Sequence, residues 1–333
     1  MSKTAELLNR LQSAGYSRQF LIGCLPEWWN QHAEDSDSAW LQLQLDFAQR
    51  LSLDPGSLID TGSPLSLPDI GRARFKHLKL EDKSKAALIG FSSGLARLIG
   101  SAMRDPANSL PDNPKELRAL LISADEAPWI GLPQVLQLAY GVGIGVAHLT
   151  TFPLRLKGIA AMATSTGTRN LIFTARKPLH SAQTAFFIAH ELGHVALGHI
   201  QPGESIVDAP RLDATTPRTG DNDREEAAAD RYAIELLTGR PELEVHAPER
   251  VGTAGELVRL AVEYGQRARV DPGLVVLIFA KTTNRWAMAT KALGQIVGHQ
   301  NPASQINRAL RSQIDEEVLS DADLSYLNAV VAV

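Results

Sequence analysis

His190 and His194 stand four residues apart, with Glu191 between them, in the run Phe186-Phe187-Ile188-Ala189-His190-Glu191-Leu192-Gly193-His194-Val195-Ala196-Leu197-Gly198-His199. On a helix that spacing puts both imidazoles on one face, one turn apart. Two neutral imidazoles held that way can grip Zn²⁺ or another divalent metal, and the carboxylate beside them can accept a proton from water at the ion. The flanks Phe186, Phe187, Ile188, Val195, Ala196 and Leu197 suit a buried helix, with Ser181 as its N-cap and Gly198 as its stop. HExxH also occurs by chance in helices, so the motif alone leaves an ordinary buried helix and a metal site as equal readings. A third ligand decides between them.

Spacing separates two kinds of third ligand. One pattern asks for Gly three and His six residues after the second His. Leu197 and Ile200 occupy those positions here, and Gly198 and His199 each miss by one. His199 is therefore expected to hydrogen-bond at the helix end rather than to ligate. The other solution takes a carboxylate from a second helix, and Asp223-Arg224-Glu225-Glu226-Ala227-Ala228-Ala229-Asp230-Arg231-Tyr232-Ala233 offers one. Glu226 and Asp230 share a face, so Glu226 can bind the metal while Asp230 accepts a ring N–H from a ligating His, a bond that fixes the ligand's tautomer. The plain alternative is a solvated acidic helix. The alanines beside the pair favour close packing on the first helix, and so the ligand.

These two motifs, Ala189-His190-Glu191-Leu192-Gly193-His194 and Glu226-(three residues)-Asp230-Arg231-Tyr232-Ala233, together resemble the ImmA/IrrE family of metallopeptidases. The resemblance covers roughly residues 113 to 240. Gln183 and Ala185 stand where the family often has Arg, and Ala228 where it tends to carry a second acid. The family is of the gluzincin type, and its characterised members cleave helix-turn-helix repressors. The resemblance thus implies a zincin-like core, catalysis by Glu191, ligation by His190, His194 and Glu226, and a sheet edge able to take an extended peptide by strand addition.

Around these residues the chain must build supporting elements. Its 333 residues allow two or three cores, and 44% hydrophobic with 21% charged residues is ordinary for a globular protein. A formal charge of -4 gives no overall pull towards nucleic acid. The single cysteine, Cys24, excludes an internal disulfide and fits a reducing compartment. Glu6 and Arg10 in the first amphipathic turns argue against a signal peptide, and apolar runs such as Gly273 to Ala280 are too short to span a bilayer. The expectation is a cytoplasmic protein with no membrane contact.

The expected fold class is α+β, mostly helical, with a small three-stranded sheet packed on the metal-binding helices. Residues 1–112 read as a helical domain, with helices at Thr4–Ser13, Ala39–Leu51 and Lys85–Met103 and a short one opened by Pro55. The Asp54-Pro55-Gly56 turn is similar to the tail of a repressor-type helix-turn-helix, though such turns join helices in many proteins. Arg72, Arg74, Lys76, His77 and Lys79 form a basic run that could touch phosphates, but Glu81 and Asp82 follow at once and a solvated face is the plainer reading. Trp28, Trp29 and Trp40 are expected in a small core rather than as platforms for bases.

Residues 113–245 read as the metallopeptidase domain: helices at Lys115–Ile122 and Leu132–Tyr140, strands at Gly141–His148, Gly158–Ala163 and Asn170–Phe173, then the two metal helices. Gln201 to Asp223 lacks periodicity and reads as a long loop. His246 to Arg250 marks a second boundary, and residues 246–333 form a helical domain with helices at Leu257–Gly265 and Leu274–Lys281 and no legible chemistry.

Three functions compete. The leading one is a zinc endopeptidase acting on a specific cytoplasmic protein, such as a helix-turn-helix repressor or antitoxin, with Tyr232, His199 and Arg231 as candidate oxyanion donors. The second is a regulatory or toxin–antitoxin-type binding protein with a structural or vestigial metal site; the intact Glu191 argues against it, because a structural site needs no base. Peptide deformylase is the third, suggested by Gly23-Cys24-Leu25, but Ile22 replaces its Glu and the Cys lies far from the metal helix.

Overall fold

Side-chain caps start helices all along the chain. Ser2, Ser17, Ser36, Asp54, Thr253, Asp271, Asn301 and Ser320 each accept a hydrogen bond from a backbone N–H in the first turn of the helix they precede. Pro55, Pro272 and Pro302 occupy first-turn positions, where a missing N–H costs nothing. The computed structural model describes residues 2–75, 80–105, 110–125, 127–154, 161–175, 180–208, 221–241, 251–296 and 301–331.

The chain opens with helices α1 (Lys3–Ser13), α2 (Arg18–Gly23), α3 (Gln31–Glu34), α4 (Asp37–Leu51) and α5 (Pro55–Ile59), then strand β1 (Ala73–Phe75) and the long α6 (Asp82–Ala102). The middle part runs α7 (Pro114–Asp125), α8 (Leu132–Gly141), β2 (Gly145–His148), β3 (Ala161–Ser165), β4 (Asn170–Thr174), α9 (Ser181–Ala196), β5 (Ser205–Asp208) and α10 (Asp221–Thr238). Helices α11 (Ala254–Ala268), α12 (Pro272–Thr283), α13 (Trp286–Leu293), α14 (Pro302–Gln313) and α15 (Asp321–Val330) complete it. The architecture is α+β and mostly helical. Among the described residues no helix is long and apolar enough to cross a membrane.

The sheet corrects the expectation of three strands. Among the described residues it has five, in the order β1-β5-β3-β4-β2, with β3 antiparallel to both neighbours and the outer pairs parallel. All three expected strands are there, although Gly141 belongs to the end of α8 and residues 158–160 lie outside the described part. The two additional strands come from Ala73–Phe75, in the basic run, and from Ser205–Asp208, in the stretch read as a loop. Strands of three and four residues are too short to show alternation, and only pairing with a neighbour makes them strands. Lys76, His77, Lys79, residues 209–220 and the boundary at His246 to Arg250 lie outside the described residues.

Alternation along the strands divides the interior in two. Met162, Leu171, Phe173 and Val207 face a core built by Leu43, Phe47 and Leu51 of α4, Leu88, Phe91 and Leu95 of α6, and Leu310 and Leu327 from the C-terminal helices. Val146, Ala161, Ala163 and Ile172 face the other core, with Val135 of α8, Phe187, Ile188 and Leu192 of α9, Leu236 of α10 and Leu277 of α12. The sheet is therefore covered on both faces, and α9 packs directly on β3 and β4. At the rim of the first core, Trp28 and Trp29 meet edge to face at 5.6 Å and Trp29 lies 6.0 Å from Trp40.

Candidate metal centre

Helix α9 carries the site because it is apolar on almost every side: its residues from Ala182 to His194 are buried. His180, not Ser181, caps it, its Nδ1 accepting the Ala182 N–H at 3.2 Å. At the far end Gly198 takes φ +68°, the left-handed value that stops a helix. Gly198 N–H then bonds the Val195 carbonyl at 3.1 Å and His199 N–H the His194 carbonyl at 2.9 Å. This paired closure folds the chain back and brings the His199 ring to the His194 ring.

Helix α10 lies against α9 through small residues. A methyl group on Gly193 would come within 3.1 Å of both Ala229 Cα and Tyr232 Cβ, so glycine is what lets the helices approach. The close approach delivers Glu226 to the histidine face.

Three donors converge there. His190 Nε2 and His194 Nε2 are 3.1 Å apart, Glu226 Oε1 is 3.1 Å from His194 Nε2, and Glu226 Oε2 is 3.4 Å from His190 Nε2. Two ligands about 2.0–2.1 Å from a tetrahedral ion stand about 3.3–3.4 Å apart, so these separations fit one face of such a shell. His190, His194 and Glu226 are all buried, and this buried group could hold a metal ion. The arrangement shares its acidic member between both rings. Burial by itself raises the Glu226 carboxyl, but hydrogen bonds from His190 and His194, and their charge, outweigh it and hold the group well below the usual carboxylate range.

The rear nitrogens are also engaged. Asp230 Oδ1 lies 2.9 Å from His190 Nδ1. With a metal ion in place, a neutral His190 would donate its Nδ1–H to that carboxylate and keep its Nε2 lone pair for the ion. His194 Nδ1 lies 2.9 Å from His199 Nδ1. One of those nitrogens must donate, and a ligating His194 donates while His199 accepts. His199 thus sits behind His194 and outside the group of three. Glu191, with 0% exposure, occupies the next position of the same helix and does not belong to the group.

Two other candidates, Tyr232 and Arg231, are placed differently. Tyr232 is buried, and its hydroxyl donates to the Pro111 carbonyl at 3.3 Å; burial pushes its phenol upward. Arg231 is exposed.

Arg74, from β1, also reaches the centre: its guanidinium donates to the His199 carbonyl and to the Glu225 carboxylate, and Glu204 Oε2 is 3.8 Å away. Its role at the site was invisible in the sequence, because it lies 125 positions from His199 and 151 from Glu225. The run around it read instead as a solvated face, with phosphate contact as the alternative. Compared with protein-family models, curated proteins and solved structures, the chain matches none.

Proposed function

We propose that the chain is a zinc-dependent endopeptidase with a zincin-like core, which cleaves a specific protein such as a helix-turn-helix repressor or antitoxin, in keeping with its resemblance to the ImmA/IrrE family. The observation that carries the reading is the meeting of His190, His194 and Glu226 from two helices, with the buried Glu191 next to a ligand and outside the ligand group. Two imidazole nitrogens and one carboxylate suit zinc, and three protein ligands leave the open position of a catalytic rather than a structural site.

His190, His194 and Glu226 hold the ion, which when bound acts as a Lewis acid towards an amide carbonyl and lowers the pKa of water. Glu191 takes the proton from the attacking water and returns it to the leaving amine nitrogen. Asp230 and His199 keep the two imidazoles in the tautomer that presents Nε2 forward. Burial of His190, Glu191, His194 and Glu226 keeps bulk water from competing for their hydrogen bonds and strengthens the charges involved.

The test incubates zinc-loaded wild type and Glu191→Gln with a proteome-derived peptide library and counts new N-termini by mass spectrometry. Wild type cuts a narrow set of sequences. Glu191→Gln keeps its zinc while cleavage falls by about 10²–10⁴-fold, the usual worth of a general base. A wild type that binds zinc and cuts nothing, in the library or in candidate repressors encoded nearby, favours the binding-protein reading. Equal cleavage by the variant assigns the base to another residue.

A further inference from the structure

Strand β1 pairs in parallel with β5, Arg74 opposite Ile206 and Phe75 opposite Val207. Alternation sends neighbouring side chains to opposite faces of the sheet. Phe75 packs against the core of α4 and α6, and Arg74 goes the other way, to the end of α9 and the start of α10. There one guanidinium nitrogen donates to the His199 carbonyl and the other to Glu225. Both partners stand one step behind a ligand: the His199 ring meets His194 Nδ1, and Glu225 precedes Glu226 on α10.

We propose that Arg74 is a positioning residue of the metal centre, which clamps the His199 turn to the first turns of α10 and so holds His194 and Glu226 in mutual register. The proposal rests on the metal-centre reading above. The planar guanidinium fork fixes its two partners at a set separation, which a lysine ammonium on a flexible stem does not reproduce. Glu226 and His194 belong to different helices, so their separation is set by helix packing at Gly193 and by this clamp. The arrangement also makes residues far upstream of the HExxH helix part of the centre. An exposed ion pair with no such role contributes little to stability and nothing to metal affinity; Arg74 and Glu225 are only 28% and 30% exposed, and their partners lead directly to ligands.

The test uses the full-length chain: wild type, Arg74→Ala, Arg74→Lys, Glu225→Gln and the double variant Arg74→Ala/Glu225→Gln. Zinc affinity is measured by competition with a chromophoric chelator, the visible spectrum is recorded with Co²⁺ at saturation, and the metal-free melting temperature is followed by circular dichroism. Loss of a partner bonded directly to a ligand typically weakens metal binding by 10–100-fold. Arg74 acts through such partners from one step further out, so Arg74→Ala is expected at the lower end of that range, about 10-fold, with a shifted cobalt spectrum. Arg74→Lys recovers part of the affinity. Glu225→Gln keeps stoichiometric zinc with a smaller loss, and the double variant is no weaker than Arg74→Ala, because both changes break one network. Wild-type zinc affinity and an unshifted cobalt spectrum in Arg74→Ala overturn the proposal. So does a loss that only parallels a lower metal-free melting temperature. A wild type that takes up no zinc overturns the metal-centre reading itself, and this inference with it.

Discussion

At one end of the sheet, Asn307 of α14 seals the β2 edge: its side-chain oxygen accepts the His148 N–H at 2.8 Å and its amide donates to the His148 carbonyl at 3.0 Å. At the other end, β1 carries Arg74, which spends its guanidinium on Glu225 and on the carbonyl of His199. Both devices join residues far apart along the chain, and both are forked. They differ in charge and burial. Asn307 is fully buried and neutral, and it satisfies two backbone groups that would otherwise be left open on an edge strand. Arg74 is charged and half-buried, where the direct gain in stability is small. A neutral buried fork suits an edge that must stay closed, whereas a charged fork suits a place where geometry around other charged groups has to be set.

Removing a ligand tests the charged side most severely. Glu226→Ala is expected to lose zinc on dialysis while circular dichroism of the metal-free chain stays as in wild type; zinc retained at one equivalent would place the third ligand elsewhere, His199 first. The neutral side has the opposite signature. Asn307→Ala leaves the N–H and carbonyl of His148 buried without their partner, at roughly 1–3 kcal/mol each, so urea denaturation should show a loss of about 2–6 kcal/mol with zinc affinity unchanged. If that variant instead weakens zinc binding and leaves the urea midpoint alone, the division of labour between the two edges is wrong.

The smallest expected effect sharpens the neutral side. Burial lowers the pKa of His148, whose Nδ1 lies 2.9 Å from Thr174 Oγ1. A depressed imidazole pKa means that the unfolded chain binds the extra proton first. Stability is therefore intact above the ordinary histidine value of about 6.5 and is lost as pH falls below it. In zinc-loaded protein, the shift in urea midpoint between pH 7.5 and 5.5, two working values set about a unit either side of that pKa, should be larger in wild type than in His148→Gln. Equal shifts would mean that His148 titrates alike in both states.

Much of the centre was legible because helical spacing is a local rule. His190 and His194 share a face by periodicity, Glu226 and Asp230 do the same, and the structure joins the two pairs at Nε2 and Nδ1 respectively. Gly198 and the misplaced His199 were legible too, since a helix stop and a one-residue offset can be counted. Helices α1, α4, α6, α8 and α12 follow from apolar stripes, with ends displaced by a few residues, and side-chain caps start α1, α4 and α12. The sheet was harder. β1 and β5 have too few residues to alternate visibly; β1 becomes a strand only against β5, and β5 only between β1 and β3.

The sequence by itself determined which side chains could ligate, which carboxylate stands next to them, and which faces of α9 and α10 present them, because a helix places residues by counting along one chain. Only the tertiary structure decided that α9 and α10 approach through Gly193 and Ala229, that the first part of the chain contributes Arg74 to the centre, and that Asn307 closes the far edge. Those contacts join residues that are distant along the chain, and no local periodicity encodes them. They depend on which apolar faces bury against each other, and that is settled by the packing of the whole chain.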